Sequence, residues 1–258
     1  MFGLGLPSVE PALWSLLFVM VRIGAAFIAA PVFGAMAVPL PVRIVLSAGV
    51  GVLVVNNLTV ATPTTIASFT TFLAVAQEAL VGLALGFVIQ IAFAAPFIAS
   101  EAISGSMGLG FATAVDPQNG ASSPALGQFL SIVMTLLFLA LDGHLILVDL
   151  LARSYEALPP GQAWLGADKL RGIAMFGTYA FGAGLLLALP VAFILLCLNL
   201  IVGMLSRSAP ALNLFAVGLP ASLITGIIAI AIAFPAMGDY MTVIVREALQ
   251  AAQTLVLG

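Results

Sequence analysis

Charge is what this sequence has least of. Asp, Glu, Lys and Arg make up only 7% of its 258 residues, against roughly 25% in an ordinary soluble domain. A soluble chain of this size needs a charged outer surface, and this one cannot supply it. No charged residue falls between Arg43 and Glu78, between Arg171 and Arg207, or between Arg207 and Asp239. Each gap holds at least one stretch of the about 20 apolar residues that a membrane-spanning helix needs. Cysteine is nearly missing as well. Cys197 is the one copy, inside an apolar run, which excludes a disulfide framework and a thiolate metal cluster. His144 is the single histidine, which excludes the two-histidine zinc signatures. No metal and no other cofactor is expected. The seven basic residues are scattered singly and form no stripe for nucleic acid. A basic leader region is also lacking at the N-terminus, so no cleavable signal peptide is expected.

What is present is hydrophobic: 63% of the residues. The sequence predicts an all-α integral membrane protein of about six apolar segments in a single domain over residues 1–258. The segments are Ala12–Val32, Ile44–Val55, Ile66–Ile98, Ala125–Leu151, Ile173–Leu205 and Leu212–Pro235. From Met237 the tail reads as a short amphipathic helix. Two connections are substantial, Ser100–Pro124 and Ala152–Gly172. The third and fifth segments exceed one simple span, which means tilt, a kink or helix outside the bilayer. Pro31, Pro96, Pro190, Pro220 and Pro235 lie inside or beside apolar segments, and a proline within a helix removes a backbone hydrogen bond and bends it. With six spans, the distribution of Lys and Arg favours a cytoplasmic N-terminus.

Few residues are candidates for chemistry. Glu78, Gly82, Gly86 and Gln90 recur every four residues and so share one helical face. The glycines permit close approach of another helix. Glu78 and Gln90 then either hydrogen-bond across that interface, or Glu78 binds a proton or ion, since a carboxylate in hydrocarbon is costly. Asp142-Gly143-His144 is either a polar break in the fourth segment or part of a proton relay. The stretch Ser104–Pro117 combines permissive glycines at 105, 108 and 110 with apolar Met107, Leu109, Phe111 and Val115. It is either a buried re-entrant connection or a gate. No nucleophile elbow, phosphate-binding loop or catalytic carboxylate pair is present, and no enzymatic activity is expected.

Several runs, in order along the chain, resemble the FliR family, the flagellar members of the type III secretion export apparatus. They are Glu78–Phe87, Met107–Pro117, Leu137–His144, Ser154-Tyr155 with Leu158-Pro159, Ala188–Val191, Leu198–Leu200, and Ala209–Asn213 running into Gly218–Pro220. The resemblance implies kinked helical hairpins packed around a pore. It implies a subunit of an export gate in the bacterial inner membrane, at the flagellar basal body, with FliP, FliQ and FlhB homologues as partners. Unfolded flagellar subunits would be the cargo. It also implies a pore plug made of Met107, Gly108, Leu109, Gly110, Phe111, Val115, Asp116 and Pro117. A small-solute or ion transporter, and a virulence-type secretion homologue, are the competing readings.

Overall fold

The structure is a computed structural model that describes residues 9–58, 68–109, 125–160, 166–208 and 214–257. Among the described residues there are eight α-helices and no strand. They are α1 (Val9–Ala29), α2 (Leu40–Asn57), α3 (Phe69–Ala92), α4 (Ala95–Ser106), α5 (Ala125–Ala140), α6 (Gly143–Ala157), α7 (Ala167–Ser208) and α8 (Leu214–Leu257). Five stretches are long and apolar enough to cross a membrane, α3 and α4 counting as one, and α5 with α6 forms a sixth if that bent pair is one span. The expected all-α membrane architecture is therefore the one observed.

The sequence boundaries shift where local chemistry overrides hydropathy. α1 stops at Ala29 because Pro31 follows and Val32 takes a left-handed φ of 69°, a conformation that β-branched residues rarely adopt. Phe27 and Phe33 stack across this turn with centroids 4.4 Å apart. Arg43 closes it by donating from Nη2 to the carbonyls of Ala35 at 2.7 Å and Gly34 at 3.3 Å. α2 starts at Leu40 rather than Ile44, with Pro41 in its first turn, where a missing N–H costs nothing. The third apolar segment breaks at Phe93-Ala94 and resumes as α4, in which Pro96 again sits in the first turn. Residues Ser100–Ser106 are thus helical rather than the start of a loop. The tail beyond Met237 is not a separate helix. It continues α8, which runs 44 residues through Pro220 and Pro235.

The chain divides into two compact units. The first holds α1–α3, the end of α5, α6, the start of α7 and the C-terminus from Arg246. In it α2 and α3 both pack on α1. Glu78, Val81, Gly82, Leu85, Gly86 and Ile89 of α3 are buried, the i, i+3, i+4 spacing of one helical face. The second unit holds α4, most of α5, and α7 and α8 from Thr178 to Val245. Its core includes Ile103, Met107, Leu130, Met134, Leu187, Val191 and Leu195.

Candidate functional site

Each unit holds a small polar node. The node in the first unit centres on Arg22 of α1, whose side chain is fully buried. Its Nε donates to Glu78 Oε2 at 2.8 Å and its Nη2 to Glu78 Oε1 at 2.9 Å. Nη1 donates to the Ser154 carbonyl at 2.8 Å and to the Ser154 hydroxyl at 2.9 Å. Nη2 also reaches the Leu158 carbonyl at 2.9 Å. The Tyr155 ring lies 4.2 Å from the guanidinium carbon, a cation–π contact, and its hydroxyl donates to the Val19 carbonyl at 2.8 Å.

This arrangement suits a charge held away from water. A planar guanidinium carries five N–H donors in a fixed fork, and a carboxylate accepts two of them side by side. Ser154 and Leu158 lie in the last turn and at the end of α6. There a helix has spare carbonyls and the negative end of its dipole, which favours a cation. One arginine therefore ties α1, α3 and the C-terminus of α6 together.

Glycines bring α3 close enough to α1 for this. A Cβ at Gly82 would strike the Arg22 carbonyl, and one at Gly86 the Ala26 carbonyl. Of the face marked in the sequence, Glu78, Gly82 and Gly86 are buried, while Gln90 is exposed. Glu78 hydrogen-bonds across this interface, to Arg22 of α1.

The node in the second unit lies where α4 ends. Gly108 has φ of 80°. Its N–H bonds the Gly105 carbonyl at 3.1 Å, and the Leu109 N–H bonds the Ser104 carbonyl at 3.0 Å. These are the paired bonds of a Schellman helix end, in which glycine takes the left-handed position. Just before it, Met107 is only 5% exposed and fills the space over Gly226 of α8, where an added Cβ would lie 2.7 Å from its Cε. Asn199 of α7 donates to the Ser106 carbonyl at 3.2 Å and accepts from the Ser222 hydroxyl at 3.2 Å. Met107 and Gly108 are therefore built into the body of the unit. Leu109 is exposed. Gly110, Phe111, Val115, Asp116 and Pro117 lie outside the described residues.

Asp142 sits at the corner between α5 and α6, which bend by 61°. It takes φ of 55°, and its carbonyl accepts from the N–H groups of Leu145 and Ile146, both at 2.9 Å. The Phe138 ring covers Gly143 so closely that a Cβ there would collide with it. His144 is half-buried, and its Nδ1 has no hydrogen-bond partner among the described residues. No group of three His, Cys, Asp or Glu able to hold a metal occurs among the described residues.

The model of bacterial export proteins, family 1, matches residues 13–248. The flagellar biosynthetic protein FliR of Escherichia coli (strain K12) is 37% identical over 227 residues, covering 88% of this chain and 85% of that protein. FliR of Pectobacterium carotovorum is 40% identical over 215 residues, 83% of this chain and 82% of that protein. FliR of Bacillus subtilis is 34% identical over 211 residues, 79% and 80% respectively. The chain belongs to the FliR family of bacterial export proteins.

For this FliR-family chain the sequence pointed to Glu78 but missed what holds it. Arg22 carried the same signal, a lone charge inside an apolar run, in Ala12–Val32. Two opposite charges in two apolar helices are each costly alone in hydrocarbon and relieve one another when paired. Asn199 gave the same signal more faintly, a lone amide inside the run from Ile173 to Leu205. Ser154 and Tyr155 gave none beyond the motif, because their roles depend on where α6 ends.

Proposed function

We propose that this chain is a structural subunit of the flagellar protein export gate in the bacterial inner membrane. In this reading it builds, with FliP- and FliQ-type proteins and beside an FlhB-type protein, the channel for unfolded flagellar subunits. It takes no cofactor and performs no covalent chemistry. The family supports the export role, and the relatives named flagellar biosynthetic proteins support the flagellar one.

The observation that carries the subunit reading is the apolar length of α7. Its 42 residues span about 63 Å at 1.5 Å per residue, about twice the roughly 30 Å hydrocarbon core. Side chains from Leu170 and Met175 through Leu189 and Phe193 to Met204 and Leu205 are exposed along it. Tilt within the usual range of up to about 40° cannot place all of them in lipid. Neighbouring protein is the other cover for such a surface. A lone transporter would leave it bare.

Within that channel, the segment that leaves α4 at Leu109 acts as the plug, with Phe111 and Val115 filling the pore and Met107 and Gly108 as its fixed root. Affinity purification tests the first part: the chain should come out in a fixed complex with FliP- and FliQ-type proteins. Recovery of the chain alone from membranes that contain both would refute it. Conductance tests the second part. Deleting Gly110 and Phe111, which spares that root, should leave the complex assembled and make its membrane leaky to ions without any export substrate. Wild-type conductance from the assembled deletion variant would refute the plug.

A further inference from the structure

Outside both nodes, a groove of about 360 Å³ runs between α2 and α6 in the first unit. That volume lies in the range of small-ligand sites. Its floor is apolar, formed by Val50, Leu53 and Val54 of α2 with Leu145 and Val148 of α6. Beside Leu58 and Ala152, the rest of its lining is polar: Asn57 at the end of α2, and Asp149, Arg153 and Glu156 along α6. Neither half is explained by the proposed export function.

The charges in this groove are of both signs. Arg153 Nε pairs with Asp149 Oδ2 at 2.8 Å, and both side chains are more than half exposed. A guanidinium has further N–H donors after such a pair, and these suit a phosphate. Glu156 is exposed and has no ion-pair partner among the described residues. The groove also holds the C-terminal turn of α2, with Asn57 and Leu58, and Glu156 in the last turn of α6. Helix C-termini carry partial negative charge. Two carboxylates, two helix C-termini and one guanidinium leave a surplus of negative charge beside one phosphate-binding group.

We propose that this groove binds a phospholipid with a zwitterionic, amine-bearing headgroup of the phosphatidylethanolamine class. Its acyl chain lies on Val50, Leu53, Val54, Leu145 and Val148. Its phosphate meets Arg153, and its ammonium meets Glu156 with Asp149 and the helix ends behind it. A purely anionic lipid such as phosphatidylglycerol satisfies Arg153 but faces the two carboxylates with no cation to offer. The apolar floor, on one candidate membrane helix and one arm of the bent pair, supplies the acyl site, and the charge order supplies the headgroup preference. This inference requires only that the chain lie in a membrane and is independent of the export role.

The test is lipid retention. The full chain, purified in mild detergent, is equilibrated with equimolar phosphatidylethanolamine and phosphatidylglycerol, and the bound lipid is read by native mass spectrometry. We expect phosphatidylethanolamine to be retained about two- to fivefold over phosphatidylglycerol, the size of one exposed charge contact. Glu156→Gln should bring the ratio to about one, and Arg153→Gln should weaken retention of both lipids. Both sites are exposed, so folding should survive; Leu53→Trp, which fills the apolar floor, gives an independent loss of retention. Equal retention of the two lipids by the wild type would overturn the proposal. So would a ratio unchanged in Glu156→Gln, or cross-linking of Leu53→Cys in native membranes to another polypeptide instead of to lipid.

Discussion

Arg22 and Glu78, 56 residues apart in sequence, face one another through two N–H···O bonds of 2.8 and 2.9 Å, and neither side chain is exposed. Removing one partner strands the other charge in the interior, at a cost of about 3–5 kcal/mol. Arg22→Ala and Glu78→Ala should each lower the thermal unfolding midpoint of the purified protein sharply. The joint change Arg22→Met with Glu78→Leu should recover much of the loss, because it leaves no unpaired charge. A wild-type melting profile for Arg22→Ala would show that the pair is not what holds α1 and α3.

The close approach of α1 and α3 gives a second expectation. Gly82→Ala must push the Arg22 carbonyl aside, at about 1–3 kcal/mol for overpacking. Gly49 of α2 meets nothing within 4 Å, so Gly49→Ala should be neutral, or stabilise by up to about 1 kcal/mol through helix propensity. Thermal unfolding of the two variants side by side reads this contrast, and equal effects would refute it.

At the corner between α5 and α6 the backbone sets the rule. Asp142 occupies a left-handed conformation that glycine and asparagine share easily and β-branched residues do not. Asp142→Gly and Asp142→Asn should fold as the wild type does. Asp142→Val should cost about 1–3 kcal/mol, seen as a lower yield of folded protein and a lower midpoint. If Asp142→Asn were as damaging as Asp142→Val, the carboxylate itself would be the important feature.

Met107 and Gly226 form a matched pair. Met107→Ala should leave a cavity over Gly226, worth about 2–5 kcal/mol. Gly226→Ala should conflict with the native methionine. Together the two alanines should be less harmful than their separate effects predict. A double-mutant cycle on the unfolding midpoint measures this, and strict additivity would mean the contact is not made.

His144 gives a prediction about export itself. Its Nδ1 has no hydrogen-bond partner among the described residues. His144→Gln should leave export of flagellar subunits at least partly intact. Complete loss with the complex still assembled would point to proton coupling.

The helical membrane architecture was legible because apolar runs between charges are long enough to mark spans without knowing their partners. Glu78 was legible for the same reason. Its partner was not, because pairing Arg22 with it needs the register of α1 against α3, which Gly82 and Gly86 set through backbone contacts. Proline misled at Pro235. It suggested a boundary before Met237, whereas α8 continues, since the carbonyls a proline frees in such a helix find other donors. Met107 and Gly108 read as loop because glycine signals freedom in a sequence. Here Gly108 instead ends α4, and the motif becomes visible only with its bonds to Ser104 and Gly105.

The corner at Asp142 also bears on biosynthesis. Its two arms have 16 and 15 residues, about 24 and 22 Å of helix at 1.5 Å per residue, and a bilayer core is about 30 Å thick. Each arm alone is shorter than that core, so if the bent pair is one span, both arms have to enter the bilayer together. A reporter fused between Ala140 and Gly143 would cut that unit in half and give a mixed topological signal.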